Sequence, residues 1–300
     1  MQEADETALA ELITHRALCR VEPARAGVPP EMAPALLPLD ATIAADSALI
    51  RSSLELALHE LPSTQLAQGG GRVIAAWLEC DGEPEPTQAA LRRHLARTMF
   101  ARRADGRIEW LRWYDPAVLW VLWPRLSAEQ QRLLLGPVRR HWLLTPSGAL
   151  QCLSATTDPS SQAAKPTSAT TEQIAFTATQ WAVIDAIGAL NLALVQACAS
   201  ELDDIALARY RDVGMSALAR AQQAGFTDRQ DLAVYASKAI TCHPEFDRHA
   251  IVAQRLRAAQ PGDFFSATVD DITDPQWQQI TNDLNASHGA ASTPKRDHLQ

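Results

Sequence analysis

Cysteine is scarce in this sequence, and no two cysteines have the spacing of a metal site or a redox centre. The five cysteines are scattered and no Cys-x-x-Cys pair occurs; they are Cys19, Cys80, Cys152, Cys198 and Cys242. An odd, scattered set argues against a disulfide framework and a zinc site, and it indicates a reducing compartment. The one local Cys/His grouping, Cys242-His243 with His249, has no second cluster to complete four ligands. We therefore expect no metal and no other cofactor.

Targeting and membrane signals are also missing. The N-terminal residues are acidic and lack the apolar core of a signal peptide. The chain has no apolar run of about 18 residues, the length that a membrane-spanning helix needs. Both absences predict a cytoplasmic protein that does not act at a membrane.

Catalytic signatures are a third absence. The patterns G-x-S-x-G, H-E-x-x-H and G-x-G-x-x-G do not occur. Gly69-Gly70-Gly71 lacks the lysine and hydroxyl of a phosphate-binding loop, so we interpret it as an ordinary turn. No enzyme class is indicated by a motif.

The charge of the chain is negative overall but uneven. The net charge of −8 argues against nucleic acid as the main partner, because phosphate binding needs a basic surface. The range 92–140, however, contains 11 arginines and four acidic residues. Two interpretations are open: solvated helix faces with internal ion pairs, or a basic groove for an acidic partner segment.

The most distinctive stretch is 107–144, which holds five of the eight tryptophans. From Arg107 to Trp113, aromatic and apolar residues recur at period two on both faces, as in a strand with both faces partly covered. Asp115 is a good N-cap and Pro116 suits the first position of a helix, so a helix should begin there. Pro124 should end it. Trp110, Trp113, Trp120 and Trp123 are candidates for the core or for partner-binding hot spots.

The second part of this stretch predicts a short helix and a strand. Ser127 and Gln130 have the spacing of a capping box, in which each residue bonds the backbone of the other. Gly136-Pro137 should end this helix, because glycine permits a left-handed residue and proline cannot continue the helix. The range 138–144 then indicates a strand that contains Trp142.

These motifs resemble the type VI secretion effector-chaperone (adaptor) family, whose defining domain is domain of unknown function 4123. The matching residues are Arg112, Tyr114, Asp115, Pro116, Gln130, Leu134, Leu135, Gly136, Pro137 and Trp142. Family members usually carry arginine after the Asp-Pro pair, whereas this chain has Ala117. The resemblance implies an α/β half followed by a helical half. It also implies a protein without catalysis that binds a toxin effector and helps load it on the secretion spike.

The sequence as a whole predicts four regions. They are an N-terminal α/β domain (1–154), a flexible linker (155–174), a helical C-terminal lobe (175–286) and a disordered tail (287–300). In the first region we expect helices at 45–60 and 87–103 and a well-buried strand at 72–80. In the third region we expect capping boxes at Thr177 and Thr227, a helix start at Asp203, a helix over 246–258 and a cap at Asp274-Pro275.

The sequence therefore predicts an α+β protein: an N-terminal domain on a small mixed sheet, then an all-helical lobe. The function expected from the resemblance is that of a non-enzymatic adaptor whose partners are an effector toxin and, directly or through it, a spike protein. One alternative is an unrecognised enzyme with a site near Asp115 in a groove between the domains. The other is a nucleic-acid-binding module that uses the basic patch from Arg92 to Arg140.

Overall fold

The computed structural model describes residues 18–25, 28, 33–61, 72–82, 84–155, 174–197, 203–260 and 262–291. The triple-glycine turn, nearly all of the predicted linker and the end of the predicted tail lie outside the described residues. The chain forms two compact units, Met1–Ile184 and Asp185–Gln300. Each unit is treated by itself below.

The first unit combines short strands with helices. Its strands are β1 (Cys19–Arg20), β2 (Ala35–Leu36), β3 (Trp77–Cys80), β4 (Phe100–Arg102), β5 (Ile108–Trp110), β6 (Val138–Leu144) and β7 (Leu150–Leu153). Its helices are α1 (Ala44–His59), α2 (Pro84–Thr98), α3 (Pro116–Leu122), a 3-10 turn (Trp123–Arg125), α4 (Ala128–Leu135) and the start of α5 (Ala178–Gln196).

The strands of this unit form three small sheets, and every described pairing is antiparallel. The sheets are β1-β2, β4-β5 and the three-stranded β3-β6-β7. Antiparallel strands need only short connections, which is why hairpins such as β4-β5 and β6-β7 arise from neighbouring sequence. The predicted α+β class, with strands in the N-terminal part and helices in the C-terminal part, is confirmed.

Several elements of the first unit differ from the prediction. The strand expected from Arg107 to Trp113 is only Ile108–Trp110. The helix expected over 87–103 ends at Thr98, and Phe100–Arg102 instead forms β4, which pairs with β5. The strand expected over 72–80 is only Trp77–Cys80, and each of its residues is half-buried. It is an edge strand of its sheet, so it has a neighbour on one side only.

The second unit is helical in its described residues. It continues α5 and adds α6 (Asp204–Gln223), α7 (Arg229–Thr241), a 3-10 turn (Phe246–Arg248), α8 (Ala250–Ala258), α9 (Phe265–Thr268) and α10 (Asp274–Ala291). An aromatic cluster forms its centre. Tyr235 lies 4.9 Å from Phe246 and 4.7 Å from Phe265 between ring centroids, in edge-to-face contacts. Such contacts add to the stabilisation that burial of the rings provides.

Capping residues define the helix starts of this unit, but some of them are not the residues that were predicted. Asp203 accepts the Ala206 N–H at 2.7 Å, as predicted. At α7 the cap is Asp228, which accepts two backbone N–H groups, so the capping box expected at Thr227 is wrong. The Trp277 N–H of α10 bonds the Thr273 carbonyl, one residue before the predicted Asp274-Pro275 cap.

The remaining differences concern helix lengths. The helix expected over 246–258 is split at His249, whose ring accepts the Ile251 N–H and caps α8. The helix α10 continues to Ala291, past the predicted start of the tail at residue 287. At His249 a capping side chain, rather than composition, decides where the helix begins.

The helix α5 is long and mostly apolar. By length and composition alone it is long and apolar enough to cross a membrane, with a mean hydropathy of 1.4. Core helices of soluble proteins pass the same test, and 44% of this window is already buried. The predicted capping box at its start is confirmed, because Thr177 and Gln180 each bond the backbone N–H of the other.

Candidate functional site

Asp115 lies at the junction of β5 and α3, and both of its carboxylate oxygens are occupied. One oxygen accepts the Ala117 N–H at 2.9 Å, and the other accepts Arg112 Nη2 at 2.7 Å. Pro116 follows at the first turn of α3, so the predicted N-cap is confirmed. Arg72 also interacts electrostatically with this carboxylate. Asp115 therefore links the segment that follows β5 to the start of α3.

The other polar side chains of the R-W-Y-D-P motif cluster around Asp115. The Arg112 guanidinium carbon lies 6.0 Å from the centroid of the Trp110 ring, within cation–π range. Tyr114 is half-buried beside both residues, and burial raises the pKa of its phenol. The motif residues thus contact one another, and Arg112 is the exposed member of the group.

The four candidate tryptophans divide into two pairs. Trp113 and Trp120 are buried, with exposed fractions of 0% and 7%, so they belong to the core. The indole N–H of Trp113 donates to Thr98 Oγ1 at 3.1 Å. Trp110 and Trp123 are half-buried. Only these two keep the exposed surface that a partner contact requires, and their role in binding stays a prediction.

The glycine of the L-L-G-P motif lies directly against a histidine ring. Gly136 ends α4 with a φ of +56°, a left-handed conformation that side chains rarely adopt. A Cβ atom at this position would overlap the His94 ring. His94 is buried, and its Nε2 lies 2.7 Å from the carbonyl oxygen of Leu134. Glycine is therefore required here both by the backbone conformation and by the lack of room for a side chain beside His94. Pro137 follows it, directly before β6.

A second buried histidine completes this region of the core. Trp113 lies between His94 and His141, with ring centroids 6.4 and 6.0 Å apart. His141 is fully buried on β6, and neither of its ring nitrogens has a hydrogen-bond partner among the described residues. Burial lowers its pKa to about 4. His141 is consequently neutral at physiological pH and acts as a polar group in an apolar core.

Sequence reasoning missed His141 altogether. The available signal was a histidine between Arg140 and Trp142 in the predicted strand 138–144, and this pattern does not reveal which face of the strand is buried. Its neighbour Trp142 is a motif residue that lies half-buried on the opposite face. Trp142 pairs with Trp77 on β3 and with Cys152 on β7.

Exposed apolar side chains gather at the C-terminal end of α1. Three of the seven large apolar side chains that are exposed in the described chain lie there: Leu58, Val73 and Leu150. The Val73 N–H bonds Glu60 at this helix end, at 2.9 Å. A Cβ atom on Gly148, in the turn before β7, would lie 3.5 Å from Leu58. We call Leu58, Val73 and Leu150 the α1-end surface.

Several arginines of the basic patch are paired with carboxylates of the same chain. Among the residues that the structure describes, five of the eleven contact a carboxylate: Arg103, Arg107, Arg112, Arg139 and Arg140. Glu79 lies between Arg139 and Arg140 and contacts both. For these five residues the interpretation as internal ion pairs fits the structure better than the interpretation as an open basic groove.

The histidines near Cys242 have local structural roles. His243 Nδ1 accepts the Glu245 N–H at 3.1 Å, and His249 Nδ1 accepts the Ile251 N–H at 3.4 Å. His249 Nε2 also lies 3.3 Å from Asp283. Across the residues that the structure describes, no group of three His, Cys, Asp or Glu side chains is arranged to hold a metal ion.

The comparison with protein families bears on the N-terminal part of the chain. Residues 5–133 match the family model described as "Domain of unknown function (DUF4123)". No curated protein and no solved structure matches the chain. This DUF4123 region includes Arg112, Tyr114, Asp115 and Pro116, whereas Gly136 lies just beyond its end.

The DUF4123 region ends within α4, so two strands of the three-stranded sheet follow it. The buried contacts of the motif nevertheless cross that limit. His94 lies inside the DUF4123 region, and it contacts Leu134 and Gly136 outside it. The folded unit that carries the motifs is therefore longer than the matched residues.

Proposed function

We propose that the protein is a non-enzymatic chaperone or adaptor that binds a type VI secretion effector, a toxin, and helps load it on the secretion spike. The observation that carries the proposal is the joint occurrence of the R-W-Y-D-P and L-L-G-P motifs with the DUF4123 match over residues 5–133. The cytoplasmic location and the spike partner are part of the same proposal.

The contacts of the motif residues indicate that a partner would bind to a different part of the surface. Asp115 uses both oxygens within the protein, and Trp113 is fully buried. Gly136 is required by its contact with His94. These residues stabilise the fold from inside, so a partner must contact other residues, of which Trp110 and Trp123 are candidates.

The α1-end surface is the second feature that supports binding. Exposed apolar side chains that lie together on a folded protein mark sites of interaction more often than isolated ones do. A specific complex buries roughly 1,200–2,000 Å² in total, so the effector contact would extend beyond Leu58, Val73 and Leu150. Release of the effector would follow when it docks on the spike.

The direct test is co-expression with the toxin encoded by a neighbouring gene, followed by pull-down and size-exclusion chromatography. We expect a stable complex with one effector through a segment outside the toxin domain. Deletion of the gene should lower the level or delivery of this effector while secretion of the tube protein continues. The matched control is a toxin from another secretion cluster, which should not bind.

A different outcome of these experiments would overturn the proposed function. If neither toxin nor spike protein co-purifies, and a substrate screen finds a turnover that Asp115→Asn abolishes, the adaptor function is wrong and an enzyme function replaces it. The variant suits this purpose because asparagine is also a good N-cap, so the start of α3 stays intact.

A further inference from the structure

The strand β7 forms one edge of the three-stranded sheet, and its hairpin geometry fixes which of its backbone groups point outward. The turn before it closes with Thr145 N–H bonded to the Ala149 carbonyl at 2.9 Å. The Gly148 N–H bonds the Thr145 carbonyl at 3.0 Å, and Gly148 has a φ of +87°. This is a three-residue hairpin loop with glycine in the left-handed position.

Hydrogen-bonded and non-hydrogen-bonded pairs alternate along an antiparallel ladder. Because Thr145 and Ala149 form a bonded pair, Gln151 and Leu153 direct their backbone groups toward β6. Leu150 and Cys152 therefore direct their N–H and C=O groups away from β6, toward the open edge. No other described residue bonds to these outward groups.

The two edges of this sheet differ in how they are protected. The β3 edge has a register irregularity between Glu79 and Cys80, and Glu79 is engaged with Arg139 and Arg140. Bulges and charged side chains are the devices that keep sheet edges from pairing with other chains. The β7 edge has neither: its sequence is Leu-Gln-Cys-Leu, its register with β6 is continuous, and it contains no proline.

The side chains beside this edge continue the α1-end surface. Leu150 and Cys152 are exposed and lie on the sheet face that also carries Leu144 and Trp142, their partners on β6. Leu144 packs against Ala57 of α1. A strand added at β7 would place alternate side chains on this same face, next to Leu150 and Cys152.

We propose that an extended segment of the effector adds to β7 as a fourth strand, pairing with the backbone of Leu150 and Cys152. The segment is uncharged and carries apolar residues at alternate positions, since β7 has no charged side chain to pair with a partner's charge. This inference rests on the proposed adaptor function and names the edge and the kind of segment that it binds. Strand addition supplies affinity through the main chain and specificity through alternate side chains.

The experiment uses the full-length protein with the co-purified neighbouring toxin as the probe. Cys152→Pro removes an outward N–H and obstructs an added strand, but it leaves the bonds between β6 and β7 in place. We expect effector binding to weaken at least about tenfold, the loss of one to two backbone hydrogen bonds. Cys152→Ser is the matched control, because it keeps the N–H, and it should bind as the unmodified protein does. Leu150→Lys tests the same edge if Cys152→Pro fails to fold.

Amide hydrogen exchange provides a second readout that a contact through side chains alone would not change. In the free protein the amides of Leu150 and Cys152 should exchange fast, and in the complex they should become protected. The amides of Gln151 and Leu153 should be protected in both states, because they bond β6.

The outcomes separate this inference from the proposed function. A complex that forms equally well with Cys152→Pro, without new protection of the Leu150 and Cys152 amides, overturns strand addition and leaves the adaptor function standing. Failure of the unmodified protein to bind the toxin overturns both. If sedimentation shows a dimer of the protein alone that Cys152→Pro abolishes, the edge binds a second copy and the inference is wrong.

Discussion

The side-chain amides of Gln130 and Gln180 bond each other reciprocally, with N–O distances of 2.9 and 2.8 Å. Each glutamine also completes a capping box, at Ser127 for α4 and at Thr177 for α5. The remaining N–H groups reach the carbonyls of Ala175 and Arg125. Two helix starts that are 50 positions apart in sequence are thus joined by one pair of fully bonded amides.

The first prediction concerns this pair. Gln130→Ala and Gln180→Ala should each lower the free energy of unfolding by about 1–3 kcal/mol, because each leaves the partner amide short of hydrogen bonds. The double variant should cost less than the sum of the two, since the shared interaction is lost only once. Urea denaturation measures this. Glu129→Ala, one residue away and exposed, is the control; strictly additive costs would show that the amide pair contributes nothing.

The second prediction concerns Asp115. Asp115→Ala should destabilise the first unit by about 0.5–2 kcal/mol, because the cap of α3 and the contact with Arg112 are both lost. Asp115→Asn should retain most of the stability, as asparagine also caps helices. The check is the denaturation midpoint of both variants. An unchanged midpoint in Asp115→Ala together with lost effector binding would point to a direct functional role instead.

The third prediction concerns Gly136. Gly136→Ala should cost at least about 2 kcal/mol, the sum of a strained positive φ and displacement of the His94 ring. Gly106→Ala is the matched control, since Gly106 also has a positive φ, of +85°, but no atom lies within 4 Å of an added Cβ. It should cost only the backbone strain, roughly 1 kcal/mol. Thermal unfolding compares the two; equal losses would mean that the contact with His94 has no effect on stability.

The fourth prediction concerns pH. Because burial lowers the pKa of His141 to about 4, the unfolded chain binds a proton at a higher pH than the folded protein does. As far as His141 is concerned, the folded protein has its full stability above the ordinary histidine pKa of 6.5. It loses stability as the pH falls from 6.5 toward about 4. The loss would approach about 3 kcal/mol by pH 4. Burial also lowers the pKa of His94, which acts in the same direction.

The variant His141→Leu isolates the His141 contribution. It should be stabilised relative to the unmodified protein, and more strongly at pH 5 than at pH 7.5, because leucine neither binds a proton nor leaves ring nitrogens without partners. Guanidinium denaturation at the two pH values gives the comparison. Parallel stability profiles of the two proteins across this range would contradict the prediction.

Local chemistry made much of the 107–144 stretch predictable. The cap at Asp115, the capping box at Ser127 and the helix end at Gly136 were all expected and are confirmed. Each depends on residues within four positions of one another, whose side chains bond the nearest backbone groups in any fold. The same reasoning chose the wrong cap at Thr227, because two good capping residues adjoin there and it is Asp228 that accepts the free N–H groups of α7.

What the sequence determined by itself was thus the α+β class and those helix limits that a local cap decides, such as Asp115, Ser127, Gly136 and Asp203, since these depend on neighbouring residues. Tertiary structure alone decided that the helix over 87–103 stops for β4, that β3 is a half-buried edge and that β7 pairs only with β6 among the described residues. It also decided that Trp113 is buried while Trp110 remains half-exposed, and that His141 lies in the core. Burial and strand pairing depend on contacts between residues far apart in the chain, and no local pattern encodes which distant partner a side chain will meet.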